Sequence, residues 1–458
     1  MTDVLDETQQ TWREDVPAET DSIRELVKSW ASSTWAVVLL SVSQLGRMLE
    51  ATDSRRGTDA FESVTRAVES QLNQEMRMFF QTGDQLQKGL TNAMFGDFTD
   101  ADLSRLTART AFDVARCVAA TTACLSPGRQ NRLAWLELQN KLETFNLFAH
   151  VDLAMDLPRP RVASLAELVE RASKLGPYRS VWAMEGVGHL YAELCGARAI
   201  PVDLRGQAGA LPASSLVALH AGAGLSFASR CLETITPQSA DAEVRAALER
   251  FVTLCDENSH DAYLGATYEA LGLAARNLHP QLLADIDRHL AEMSEELVGY
   301  FWHGVGRGIY FAPTNFLPNG GGRALNQALQ ESPHDLGRLN AVAGLVWALV
   351  LVNVRHPEVI ANFLRDKADE LNCDVFANGL YSAVVIWRDS STDDEVLNAF
   401  CRYRPADLRT SALWETYVSA PCHEALLIHP VLRDGGCLGH VFRHQSRRHL
   451  VATPAPQS

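Results

Sequence analysis

Beyond residue 163 the chain keeps returning to one pattern, small residues set among large apolar ones. The blocks are EGVGHLYAE from 185, HAGAGLSFAS from 220, DAYLGATYEALG from 261, HGVGRGIYF from 303, AVAGLVWALV from 341, NGLYSAVVIW from 378 and SALWETYVSA from 411. Successive starts differ by 35, 41, 42, 38, 37 and 33 residues. That is the length of a helix–turn–helix unit of tetratricopeptide or armadillo size, which leaves an apolar face bare until a neighbouring unit stacks on it. A longer echo overlies the short one, since Ala223-Gly224-Leu225 matches Ala343-Gly344-Leu345 at an offset of 120 residues. The segments between blocks, such as AEVRAALERFVTLC at 242–255, also have helical periodicity. Period-2 alternation bounded by hairpin turns is scarce, so little strand is expected. The fold expected is all-α, with a helical-hairpin repeat domain over 163–440 wound as a superhelix or closed as a toroid.

Residues 22–155 read as an amphipathic helical bundle. Ser22 and Glu25 form a capping box ahead of Ile23, Leu26, Trp30, Val38 and Val42. Asp59 and Glu62 open a second helix whose stripe runs Phe61, Val64, Val68, Leu72, Met76, Phe79. Thr99 begins a third, and 133–153 supplies a fourth. Pro158 and Pro160 then break the pattern and place a domain boundary. Residues 1–21 form an acidic tail and 441–458 a basic one containing Pro and Ser.

Composition removes some functions. A net charge of −15 leaves no broad basic face for a polyphosphate backbone, so nucleic acid is not an expected partner. The nine cysteines are scattered without a Cys-x-x-Cys pair, which fits a reducing cytosol better than a disulfide framework. The polar, acidic start is unlike a signal peptide. The most apolar windows, 35–42 and 342–354, are too short to span a bilayer and read as buried helix segments. There is no HExxH, Walker loop or G-x-S-x-G elbow.

The blocks EGVGHLYAE, DAYLGATYEALG and FWHGVGRGIYF together resemble a family known from enediyne antibiotic gene clusters, over about residues 177–390. Its members carry EG-x-G and QG-x-GR motifs in similar order, with His303 standing here where the family has Gln. The resemblance implies a role in natural-product assembly without naming a reaction. The stretch Phe61–Phe95 is similar in texture to phasins, amphipathic helical coats of polyester granules.

Glu185 and His189 stand at i and i+4, so on a helix they leave one face a turn apart. That spacing suits a metal ion held by both, or a carboxylate orienting a general base. His303 joins them as a catalytic candidate because it opens a corresponding block. His220, His260 and Asp261 recur at similar places and Arg307 offers a single cation, so these four are candidate ligand-binding residues. Against this, the same glycines permit close helix packing, Glu185 and His189 can be a buried structural pair, and Arg307 can serve an internal salt bridge. NFLPNGGGR at 315–323 reads as a flexible loop, either a lid or a plain connection.

Two functions follow as expectations. One is a cytoplasmic biosynthetic enzyme or accessory protein that binds a small anionic or polyketide-like ligand on the concave face of the repeats. The other is a non-catalytic scaffold that holds a protein partner, with the bundle driving self-association or adsorption to a granule. The sequence names no cofactor. Converging Glu, His and Arg around a closed pocket would favour the first, an open groove of mixed charge the second.

Overall fold

The computed structural model describes residues 116, 119–120, 128–155, 164–316, 318–391 and 394–445. The first three expected N-terminal helices, the phasin-like stripe, the acidic tail and 446–458 lie outside the described residues. Within them every regular element is helical. The chain is all-α there, as the blocks imply.

Fifteen helices carry the argument: α1 Arg129–Ala149, α2 Leu165–Ser173, α3 Pro177–Ala197, α4 Ala213–Leu232, α5 Asp241–Asn258, α6 Leu264–Leu278, α7 Leu283–Met293, α8 Glu295–Tyr310, α9 Gly320–Glu331, α10 Asp335–Val352, α11 Pro357–Lys367, α12 Cys373–Ser390, α13 Asp394–Arg402, α14 Leu408–Trp414 and α15 Ala420–Asp434. Their starts are written locally. The Ser164 hydroxyl accepts the Glu167 N–H at α2, Pro177 opens α3, and Asn372 Oδ1 accepts the N–H groups of Asp374 and Val375 at α12. At α10 the cap is His334, whose Nδ1 accepts from Gly337 N–H while Nε2 meets Asp287 on α7.

The first six blocks fall in α3, α4, α6, α8, α10 and α12, and each of these helices packs on the next in that order. α12 also touches α4. The shorter helices lie against this row: α2 on α3, α5 on α4, α7 on α8, α9 on α10 and α15 on α12. α10 is long and apolar enough to pass for a membrane span, with 78% of it buried in this core.

Glycine makes the crossings close. A methyl group on Gly222 would overlap the Glu185 carbonyl and one on Gly188 the Leu219 carbonyl, so α3 and α4 touch backbone to backbone. The same reciprocity joins α6 to α8 through Gly272 and Gly304, and α8 to α10 through Gly306 and Gly344. Any larger side chain would push the pair apart. The Gly-x-Gly repeats are therefore helix crossings.

Three expectations need correction. α1, placed by its sequence in a separate bundle, packs on α3, α10 and α11 and shares their core through Trp135, Leu138 and Leu142. Its buried polar groups are matched downstream: Lys141 Nζ donates to the Asn315 carbonyl (3.2 Å), and Glu137 accepts the Gly321 N–H (2.9 Å). Those partners explain the second correction, because the glycine run at 320–322 is the first turn of α9 and packs against α1 instead of forming a loop. Third, the tail does not leave the fold at 440, since Val441 and Phe442 are buried and Ser382 Oγ donates to the Val441 carbonyl (2.6 Å).

Candidate functional site

A charged cluster sits where α3, α6 and α8 meet. Arg307 on α8 donates through Nη2 to Glu185 on α3 and through Nη1 to Glu269 on α6 (3.2 Å). His303, one turn before Arg307, places Nδ1 3.1 Å from the other Glu269 oxygen. None of the four exceeds 6% exposure. The guanidinium also lies 4.7 Å from the centre of the Trp347 ring on α10.

The cluster holds two carboxylates against one guanidinium, so its charge closes only if one further proton resides within it. The two acids are not equivalent. Burial pushes Glu185 above the ordinary carboxylate range, and Arg307 only partly offsets it. At Glu269 burial acts in the same direction but is outweighed by Arg307 and His303 together, which hold it below that range. Burial opposes the charge on Arg307 too, and the two carboxylates more than compensate. Glu269 is thus the fixed anion, and Glu185 is the acid that takes a proton more readily.

Beside the cluster lies a narrow void walled mostly by apolar side chains from α3, α4, α10 and α12, with Glu185, Arg307, Ser390 and Phe442 on its border. Water centres fit over about 20 Å³, which is room for about one water molecule. Buried polar atoms without a partner in and around it include Arg307 Nε, His303 Nε2, Trp347 Nε1 and Ser390 Oγ. A roomier polar recess of about 200 Å³ lies between α1 and α3, near Arg116, Glu143, His150 and Arg179. Its Glu143 is committed to Arg355 (2.6 Å). The cluster is the better candidate. No family model, curated protein or solved structure matches this chain.

The other expected residues go elsewhere. His189 shares α3 with Glu185 but turns away from it, lying against Phe148 with Glu193 and Arg230 as charged neighbours. The Glu185 carboxylate is engaged by Arg307 and not by His189, and among the described residues no group of three His, Cys, Asp or Glu could hold a metal ion. His220 is buried with both ring nitrogens used: Nδ1–H donates to the Leu216 carbonyl (2.6 Å), and Nε2 accepts the His260 N–H (3.0 Å). His260 and Asp261 are exposed, the first capping the turn ahead of α6 and the second paired with Arg205 (2.6 Å). Their partners are Leu216, His260, Ala262 and Arg205, none of which belongs to the cluster.

Glu269 was not among the expected residues. Its signal was present, an acid inside the small-residue run YEALG, as Glu185 sits inside MEGVG. Adjacency to the start of the block drew attention to His260 and Asp261 instead.

Proposed function

We propose that the six block helices form the inner wall of a closed α-hairpin array, and that its centre binds the acidic or carbonyl head of a small natural-product intermediate in the cytoplasm. Arg307 is the anchor for a hydrogen-bond-accepting oxygen and Glu185 the acid that can share a proton with it. One observation carries this reading: the buried cluster carries an unbalanced charge and borders a void lined by Trp347, Ser390 and Arg307, each with an unpartnered polar atom. Buried ion clusters contribute little net stability compared with apolar packing, which makes their presence in a core informative. The enediyne-cluster resemblance supports the biosynthetic setting.

A second reading, the non-catalytic scaffold, is favoured by the size of the void, which admits about one water and no whole polyketide. Thermal denaturation with formate, acetate or malonate separates the two. The binding reading expects a carboxylate-dependent rise in Tm that is lost in Arg307→Lys. No rise with any of the three, together with unchanged or raised Tm in an Arg307→Met/Glu185→Met/Glu269→Leu variant, would leave the scaffold.

A further inference from the structure

The recess between α1 and α3 is basic, although the chain as a whole carries a net charge of −15. Arg116 and Arg179 lie on its lining with Glu143, Asn146 and His150. Arg179 sits in the first turn of α3, which holds no acidic residue. It is exposed and has no ion-pair partner among the described residues. Glu143, the one acid among the described lining residues, meets Arg355 Nη2 at 2.6 Å and Arg116 Nη1 at 4.0 Å. Arg355 is itself held from behind, its guanidinium carbon 3.5 Å from the centre of the Tyr178 ring. Among the described residues, three guanidinium groups are thus set against one carboxylate. The wall between them is ordered from within: His150 is 5% exposed, and its Nδ1–H donates to Asn146 Oδ1 (3.0 Å).

We propose that this recess binds a phosphate group, either the free ion or the head of a small phosphate monoester. The site is separate from the Arg307 cluster, and neither reading depends on the other. A surplus of guanidinium groups selects an anion, and each planar fork can take two acceptor oxygens side by side, which a tetrahedral oxyanion offers in several directions. Phosphate also carries close to two negative charges near neutral pH. It therefore answers the whole surplus, where a monocarboxylate answers half of it. Size agrees with charge, because about 200 Å³ admits several waters and so a phosphate with part of its ester. The negative charge of the whole chain opposes binding only at long range, and salt screens that repulsion beyond about 10 Å.

The test is isothermal titration of the full chain with inorganic phosphate, at an ionic strength held constant with chloride. One saturable site is expected, weakened about ten-fold or more by Arg179→Ala and unchanged by Arg307→Lys. Arg179→Lys, which keeps the charge and loses the fork, should fall between wild type and Arg179→Ala. Because Arg179 is exposed, both variants should melt at the wild-type Tm without phosphate, which separates lost binding from lost folding. Glycerol phosphate distinguishes the two sources: tighter binding than phosphate assigns the recess to a monoester, weaker binding to the free ion. No saturable heat, or an affinity that Arg179→Ala leaves unchanged, overturns the proposal. Binding lost in Arg307→Lys but kept in Arg179→Ala overturns it as well, by moving the phosphate to the central cluster.

Discussion

His220 and His303 are both fully buried and open corresponding blocks, yet their surroundings differ in kind. Each His220 nitrogen has one backbone partner, so the ring ties α4 to the turn before α6 as a neutral pin. His303 has one nitrogen on Glu269 and the other on nothing, inside a cluster whose charge closes only with an extra proton. Complete pairing identifies a residue that holds the fold. Surplus charge with unpaired atoms identifies one held by the fold, and each prediction below tests that division.

The largest effect should come from Arg307→Met. Removing the one strong cation leaves Glu185 and Glu269 facing each other in the core, and breaking a buried pair costs about 3–5 kcal/mol. Urea unfolding at neutral pH reads this, and combining the change with Glu269→Gln should recover part of the loss. A cost below about 1 kcal/mol would mean that the two carboxylates do not depend on Arg307 in the core.

The His220 region should respond to acid. Burial lowers this imidazole from 6.5 to about 4, because a second proton on Nε2 would face the His260 N–H. A base with a depressed value contributes stability that is present above its unfolded value and lost as pH falls from 6.5 towards 4. The contribution is about 3 kcal/mol. Histidine NMR should show the His220 ring neutral down to about pH 4, and His220→Asn should flatten the acid limb of the stability curve. Titration near 6.5 would mean that the pin is not intact in solution.

How far the sequence foretold these two regions depends on which residues are considered. The block spacing located all six central helices, because a small residue is needed at every backbone crossing and so repeats with the helices. Gly188, Gly222, Gly304 and Gly344 were legible for that reason. Arg307, Glu185 and His303 were legible as candidates, being polar residues among such small ones. Their grouping was not, because a helix face selects its partner through the rotation of the neighbouring helix, which no local pattern encodes. His189 illustrates this: its i+4 spacing from Glu185 is real, but Glu185 meets Arg307 on α8 while His189 lies against Phe148 on α1. The packing of α1 on α3, α10 and α11 was not legible, because an amphipathic stripe reveals that a partner exists and not which one.

The smallest effects lie within the cluster and divide its two acids. Glu269→Gln removes the ionised acceptor shared by Arg307 and His303 and should cost about 2–3 kcal/mol at neutral pH. Glu185→Gln should cost about 1 kcal/mol or less, since a neutral acceptor resembles the protonated acid already favoured there. Their pH dependences have opposite signs. Glu269, lowered in the fold, contributes stability present above 4.5 and lost as pH falls through its lowered value, so the cost of Glu269→Gln should vanish in acid. Glu185, raised in the fold, contributes stability present below 4.5 and lost as pH rises through its raised value, so Glu185→Gln should gain on the wild type as pH increases. Parallel pH profiles for the two variants would show that the carboxylates share the charge equally, and the assignment of Glu185 as the proton-sharing acid would then fall while Arg307 kept its role as anchor.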